Sequence, residues 1–298
     1  MELKPAAFAY LAPSSVEEAV ARLAEHGPEA RVLAGGQSLV RLMNTRLSTP
    51  SVIIDINRIP ELGTISVTDG VITVGAIVRQ RSCEIDPRIA AGVPLFSEAG
   101  GHVAHVSVRQ RGTVVGSVAF ADPSAELPAA LLALDGQVVV RSSSGERLVD
   151  ADDFFVGPFR TSLADDELAV AVRIPGTRPE RTGSAFVEVS RRHGDLPMCG
   201  VGSVLTLTPD GAVETARIAL CAVDRRPVRA RDAEASLLGA VPGTDRIAEA
   251  AALAAAAVEP IGDCHGSASF RRHLAGVLTR RSLQTAVTRA GQENPDAR

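Results

Sequence analysis

Two glycine-bearing segments carry the strongest chemical signal in this 298-residue sequence. The first is Val32-Leu33-Ala34-Gly35-Gly36-Gln37-Ser38-Leu39, in which Arg31–Ala34 reads as a short strand that runs straight into paired glycines. Glycines at a strand end let the backbone turn several N–H groups toward one anion, and Ser38 adds a hydroxyl donor. The second, Arg111-Gly112-Thr113-Val114-Val115-Gly116-Ser117, reads as another glycine-bearing loop. Neither spells G-x-G-x-x-G or a phosphate loop with its lysine, which counts against a Rossmann or NTPase site. Each alone is a plain turn or an anion cradle. Close behind the second loop, Asp122-Pro123 signals a turn and helix start, with Glu126 a first-turn carboxylate favoured by the helix dipole.

The other candidates have plainer readings. His102 and His105 lack a third ligand nearby and read as packing or surface residues, and no metal site is expected. Arg191 and Arg192 form a basic pair that solvent alone would satisfy. Asp195 follows Gly194, where a carboxylate either caps backbone or serves as a base. Cys199 reads as a core thiol. The four cysteines lie far apart with no C-x-x-C pair, so neither a zinc site nor an iron–sulfur cluster is expected within the chain. No disulfide framework shows, and free thiols suit a reducing compartment.

Composition narrows the function classes. A net charge of −4 and 3% aromatic residues with no tryptophan argue against nucleic-acid binding. No signal-peptide pattern opens the sequence, and no run of about 18 apolar residues could span a bilayer. A cytoplasmic protein without a membrane span is expected. The length suggests about two domains.

These groups must be positioned by a framework that the patterning also predicts. Ser14 or Ser15 caps a helix that Gly27 stops. Val52–Ile56 and Val71–Gly75 read as strands, the latter after an Asp69-Gly70 turn. Residues 87–105 are partly helical, and 125–134 form an apolar helix. Asp135-Gly136 turns into a strand and a hairpin through Ser144-Gly145, then 167–174 is a strand. The polar, breaker-rich stretch 175–181 marks a domain boundary. Beyond it lie strands near 184–190, 201–208 and 214–223, then helices near 231–238, 246–258 and 267–288, and a frayed polar tail from Gly291. The order argues for an α+β fold rather than alternating βαβ units.

In this setting the chain resembles the FAD-binding (medium) subunits of the molybdenum hydroxylase, or xanthine dehydrogenase, family, which includes the medium subunit of aerobic carbon monoxide dehydrogenase. The resemblance runs nearly end to end. It is carried by Ala34-Gly35-Gly36-Gln37-Ser38-Leu39 with Ile54-Asp55-Ile56, by Gly75-Ala76 with Val78-Arg79, and by Arg109-x-Arg111-Gly112-Thr113 through Pro128. Ser190-Arg191-Arg192-His193-Gly194-Asp195, Pro227-Val228-Arg229-Ala230 and the block from His265 to Leu274 complete it. It implies a two-part FAD-binding domain of the vanillyl-alcohol-oxidase (PCMH) type over residues 1–176, its subdomains breaking near 56–60. A C-terminal α+β domain with a small antiparallel sheet and helices would follow over 182–298.

The resemblance also implies roles. Val32 to Leu39 and Thr113 to Ser117 would bind the pyrophosphate of a noncovalent FAD, since no histidine or cysteine stands in either loop to tether it. Glu126 would hold the adenosine end by accepting from ribose hydroxyls. Val103 would lie near the isoalloxazine and Leu168 near the adenine. The loop of Arg191, Arg192, Asp195 and Leu196 would border the ring. In three places the chain departs from the family pattern. Val115 replaces a glycine in the second loop, Phe120 stands where histidine is frequent, and Leu196-Pro197 replaces phenylalanine-alanine. A β-branched residue resists positive φ, so Val115 is expected at negative φ, with any unusual conformation falling on Gly116.

The resulting expectation is an electron-transfer subunit of an oxidoreductase complex. A large molybdopterin subunit and a small subunit with [2Fe-2S] clusters would partner it in a heterotrimer, itself able to dimerise. A free-standing flavin dehydrogenase or oxidase, and a flavin-free assembly scaffold, are the alternatives.

Overall fold

The computed structural model describes residues 4–177 and 180–291. Its first layer is a three-stranded parallel sheet in which Val52–Asp55 lies between Ala9–Leu11 and Ala30–Leu33. The helix Val16–His26 covers it, with Ser15 Oγ accepting from the Glu18 N–H at 3.1 Å. Val16, Ala19, Val20 and Leu23 recur at helical spacing and are all buried, which docks that helix. Gly27 then ends it at φ +49°.

Two short 3₁₀ turns, Ile56–Arg58 and Pro60–Gly63, lead into a five-stranded antiparallel sheet. Its order is Ile65–Thr68, Val71–Gly75, Leu168–Pro175, Gln137–Ser142 and Gly145–Asp150. Between its second and fourth strands in the chain run the helices Pro94–His102, Val114–Phe120 and Glu126–Ala133, among shorter ones. All eight residues of Glu126–Ala133 are buried, Glu126 included. A segment apolar all round belongs inside, and the carboxyl goes in with it.

The chain then builds an antiparallel sheet of Thr182–Val189, Cys199–Leu207, Val213–Cys221 and Val228–Arg229. The helices Arg231–Leu237, Thr244–Ala256 and Ala268–Ala290 pack on it and enclose a second core. Phe186, Val204, Ala219 and Cys221 join the first core instead, so one face of this sheet is docked against the N-terminal part of the chain. Polar bonds seam the contact: Arg289 reaches Glu98 and the Ser184 carbonyl, and Asp135 pairs with Arg217 and Arg229.

Several local expectations need correction. The segment Arg111–Ser117 is not a loop throughout: Val114 begins a helix, capped by Thr113 Oγ1 accepting from the Gly116 N–H at 3.1 Å. Val115 is therefore helical, and its side chain is buried in the core. Gly116 takes no unusual conformation; the space its missing Cβ leaves is filled by the Thr113 hydroxyl. The strands Ala9–Leu11 and Ile65–Thr68 add to the elements that the sequence predicts; both are short and largely exposed at sheet edges. The tail beyond Gly291 lies outside the described residues, as do Arg178 and Pro179 of the boundary stretch.

Candidate functional site

The fold brings the two glycine segments into direct backbone contact. A Cβ on Gly35 would stand 2.5 Å from the Arg111 carbonyl oxygen, 2.7 Å from Gly112 Cα and 2.9 Å from Thr113 N. Only glycine permits that approach. Gly36 sits at φ +71°, which turns the chain from the strand carrying Val32 and Leu33 into the helix Leu39–Asn44. Ser38 occupies the N-cap position of that helix without making a side-chain cap bond.

The backbone donors of this junction are unspent. The N–H groups of Gly35, Gly36, Gln37, Ser38 and Leu39 bond to no acceptor among the described residues, and neither does that of Val115. The Val114 N–H is used by the Val78 carbonyl, and those of Gly116 and Ser117 by Thr113. Two helix N-termini thus meet with free N–H groups. Such a nest suits a group with several anionic oxygens.

A different part of the site forms around Val103, the C-cap of the helix Pro94–His102. Arg109 is almost wholly buried, pairs with Glu84 at 2.8 Å, and donates from Nη1 to the Val103 and Ala104 carbonyls at 2.8 Å each. It holds a turn in which Ala104 adopts φ +44°. Reading the sequence gave Arg109 no role; only its burial shows that its charge serves carbonyls rather than solvent. The loop of Arg191, Arg192, Asp195 and Leu196 lies over this turn. Gly194, at φ +87°, abuts the His105 ring so closely that a Cβ would stand 2.6 Å from it. The four named side chains themselves are exposed, Leu196 at 68%.

Glu126 sits behind that region, in the company of residues from both halves of the chain. Its carboxyl is pushed up to about 8, chiefly by burial, with Glu188 and Asp122 also raising it and its own backbone N–H and His102 opposing them. His102 Nδ1 stands 3.4 Å from Glu188 Oε1, and that contact raises the imidazole above its ordinary value. The other Glu188 oxygen is buried without a partner. Glu126 is therefore within electrostatic reach of His102, the neighbour of Val103, whereas the resemblance implies the adenosine end for it. Leu168 is buried at the start of its strand, paired with Arg141, and no bond joins it to either glycine segment.

The cysteines take no part. Cys83, Cys199 and Cys221 are buried, and burial pushes the thiols of Cys83 and Cys199 up to about 12. Among the described residues no cluster of three or more His, Cys, Asp and Glu could hold a metal ion, and no helix is long and apolar enough to cross a membrane.

Comparison with known proteins finds matches along nearly the whole chain. Residues 6–177 match the family described as the FAD binding domain in molybdopterin dehydrogenase. Residues 184–286 match the CO dehydrogenase flavoprotein C-terminal domain. The 6-hydroxypseudooxynicotine dehydrogenase complex subunit alpha of Paenarthrobacter nicotinovorans is 40% identical, covering 97% of this chain and 97% of that protein. A chain of the carbon monoxide dehydrogenase of Hydrogenophaga pseudoflava superposes with a TM-score of 0.93 at 38% identity, over 96% of this chain and 99% of that one. One of quinoline 2-oxidoreductase from Pseudomonas putida 86 gives 0.91 at 39%, over 97% and 100%.

Proposed function

Given that this chain belongs to the FAD-binding subunits of the molybdopterin dehydrogenases, we propose that it carries one noncovalent FAD and relays electrons from partner iron–sulfur clusters to an external acceptor. That it is an FAD-binding medium subunit of an oxidoreductase of the molybdenum hydroxylase family follows from the matches along its length. The relay and the partners are our reading. A large subunit with the molybdenum–pterin cofactor and a small one with [2Fe-2S] clusters would supply the metal centres for which the described residues hold no ligand set.

The observation that carries the reading is the meeting of the two glycine segments, with six N–H groups, those of Gly35 to Leu39 and of Val115, left without acceptors in the protein. The residues present fit FAD: a pyrophosphate needs several convergent donors and close backbone approach, and both are there. Val115 does not obstruct the cradle, because its side chain points into the core. When bound, FAD supplies the redox chemistry, exchanging electrons singly with one-electron carriers and in pairs with two-electron acceptors. The protein's part is to bind and orient it. Gly35 to Leu39 and Thr113 to Ser117 would hold the phosphates, and Arg109 would fix the Val103–Ala104 turn at the ring end. The Arg191–Leu196 loop would border the path of the acceptor. Glu126, placed with His102, is assigned to the ring end, where a carboxyl that keeps its proton at neutral pH can donate a hydrogen bond.

Purification of the native protein tests this. It should carry a flavin absorbance spectrum, release FAD on acid precipitation, and copurify with two other subunits, one bearing iron–sulfur clusters. Isolation as a single-subunit flavoprotein that turns over a small molecule, or without flavin affinity, would refute it.

A further inference from the structure

We propose that Asn57 and Arg79 form a bridge that sets the spacing of the two glycine segments, and so act as positioning residues for the pyrophosphate; this rests on the assignment of both segments to FAD. Arg79 Nη1 donates to the Arg111 carbonyl at 2.7 Å, and Nη2 donates to Asn57 Oδ1 at 2.8 Å. Asn57 Nδ2 in turn donates to the Ala34 carbonyl at 2.8 Å. One end of this chain of bonds grips the residue before Gly35, and the other grips the residue before Gly112.

The bridge is itself held. Asp55 Oδ1 accepts from the Asn57 backbone N–H at 2.9 Å and from Nδ2 at 2.6 Å, and Asp55 Oδ2 accepts from the Tyr10 hydroxyl at 2.5 Å. Asn57 therefore cannot rotate away without giving up several bonds. Its position is fixed by the end of the central parallel strand, whereas Arg79 follows the second strand of the antiparallel sheet. The first segment follows a strand of the parallel sheet, whereas the second leads into a helix and is tied to Val78–Gln80 beyond the antiparallel strand, and among the described residues no ladder of hydrogen bonds joins the two sheets. The Gly35 contact with Gly112 and Thr113 limits how closely the segments approach. The Asn57–Arg79 bonds limit how far they part. A hydrogen bond weakens steeply over a few tenths of an ångström, so both limits bear on the cradle.

The choice of an arginine carries a second message. Arg79 forms no ion pair among the described residues, so its guanidinium is spent on the Arg111 carbonyl and Asn57, with the Asp55 charge favouring it and the Arg111 charge opposing it. The planar fork of arginine is needed for the bridge, since it reaches two acceptors at a fixed angle that an ammonium cannot copy.

The test uses the full chain freed of flavin, with Arg79→Lys, Arg79→Gln and Asn57→Ala. FAD affinity is read by quenching of flavin fluorescence at matched folded fraction, beside the melting temperature of each apoprotein. The bridge predicts that all three variants bind FAD at least about tenfold more weakly, Arg79→Lys included, while melting shifts by only about 2 °C. Wild-type affinity in Arg79→Lys with loss in Arg79→Gln would mean that charge alone matters, and would overturn the bridge. Affinity unchanged in every variant, or lowered melting with unchanged affinity per folded molecule, would overturn it too and leave the FAD assignment standing. A wild-type apoprotein that fails to bind FAD would remove the assignment and the bridge together.

Discussion

Substituting Gly35 by alanine probes the junction of the two glycine segments directly. The new methyl would face the Arg111 carbonyl oxygen at 2.5 Å, with Gly112 Cα and Thr113 N at 2.7 and 2.9 Å. All three are backbone atoms and none can swing aside. Ordinary contact begins near 3.4 Å, so the segments must part by about 0.9 Å, the difference between 3.4 and 2.5. Gly35 is not in the positive-φ region, so the effect is one of space rather than of backbone strain. A typical N–H···O bond of about 2.9 Å, stretched by that amount, leaves hydrogen-bonding range. Each such bond to a charged group is worth about 1.5–3 kcal/mol, so losing one weakens FAD binding by about ten- to a hundredfold. Crowding also destabilises the apoprotein by about 1–3 kcal/mol, which is why affinity must be compared at matched folded fraction. The assay is a titration of FAD into apoprotein, with Gly243→Ala as control, because nothing lies within 4 Å of a methyl there. If Gly35→Ala binds FAD within about twofold of wild type, the close approach has no part in the cradle.

Three further outcomes are expected. Because the Glu126 carboxyl is held up to about 8 in the folded protein, the folded state keeps a proton that the unfolded chain gives up near 4.5, so apoprotein stability falls as pH rises through that window and levels off above it. Glu126→Gln should shrink the fall seen in melting between these limits; an unchanged slope would refute it, since the raised His102 titrates in the same direction but stays in the variant. Val115→Gly should cost about 2–4 kcal/mol of stability through the cavity and the helical glycine, yet alter FAD affinity little. A tightening of about tenfold or more would mean that the valine blocks the native site. Arg109→Gln should destabilise by about 1–3 kcal/mol in denaturant unfolding, because two carbonyls lose their donor and Glu84 keeps only Arg81, and a loss under about 0.5 kcal/mol would deny it the clamp.

The sequence by itself determined what depends on neighbours along the chain. The turn at Asp69-Gly70, the Ser15 cap and the Gly27 stop follow from residues that favour one backbone conformation wherever they are placed. The glycine pair at Gly35 and Gly36 was legible as a place where backbone is exposed to a ligand, and the order of such blocks sufficed for the family. What those blocks touch was decided only in three dimensions. Thr113 to Ser117 read as loop because two valines and a glycine are poor helix formers; burial of Val114 and Val115 against the core overrides that preference. The roles of Asn57, Arg79 and Arg109 depend on carbonyls that the fold brings within reach, and an arginine that serves carbonyls looks no different in sequence from one that serves solvent. Glu126 is the sharpest case. Its type and its place in the first turn of a helix were visible from the start, but its proton is held by burial beside Glu188, 62 positions further on in a different sheet. Backbone preference is a short-range property of the chain, whereas the dielectric around a carboxyl is set by whatever packs across it.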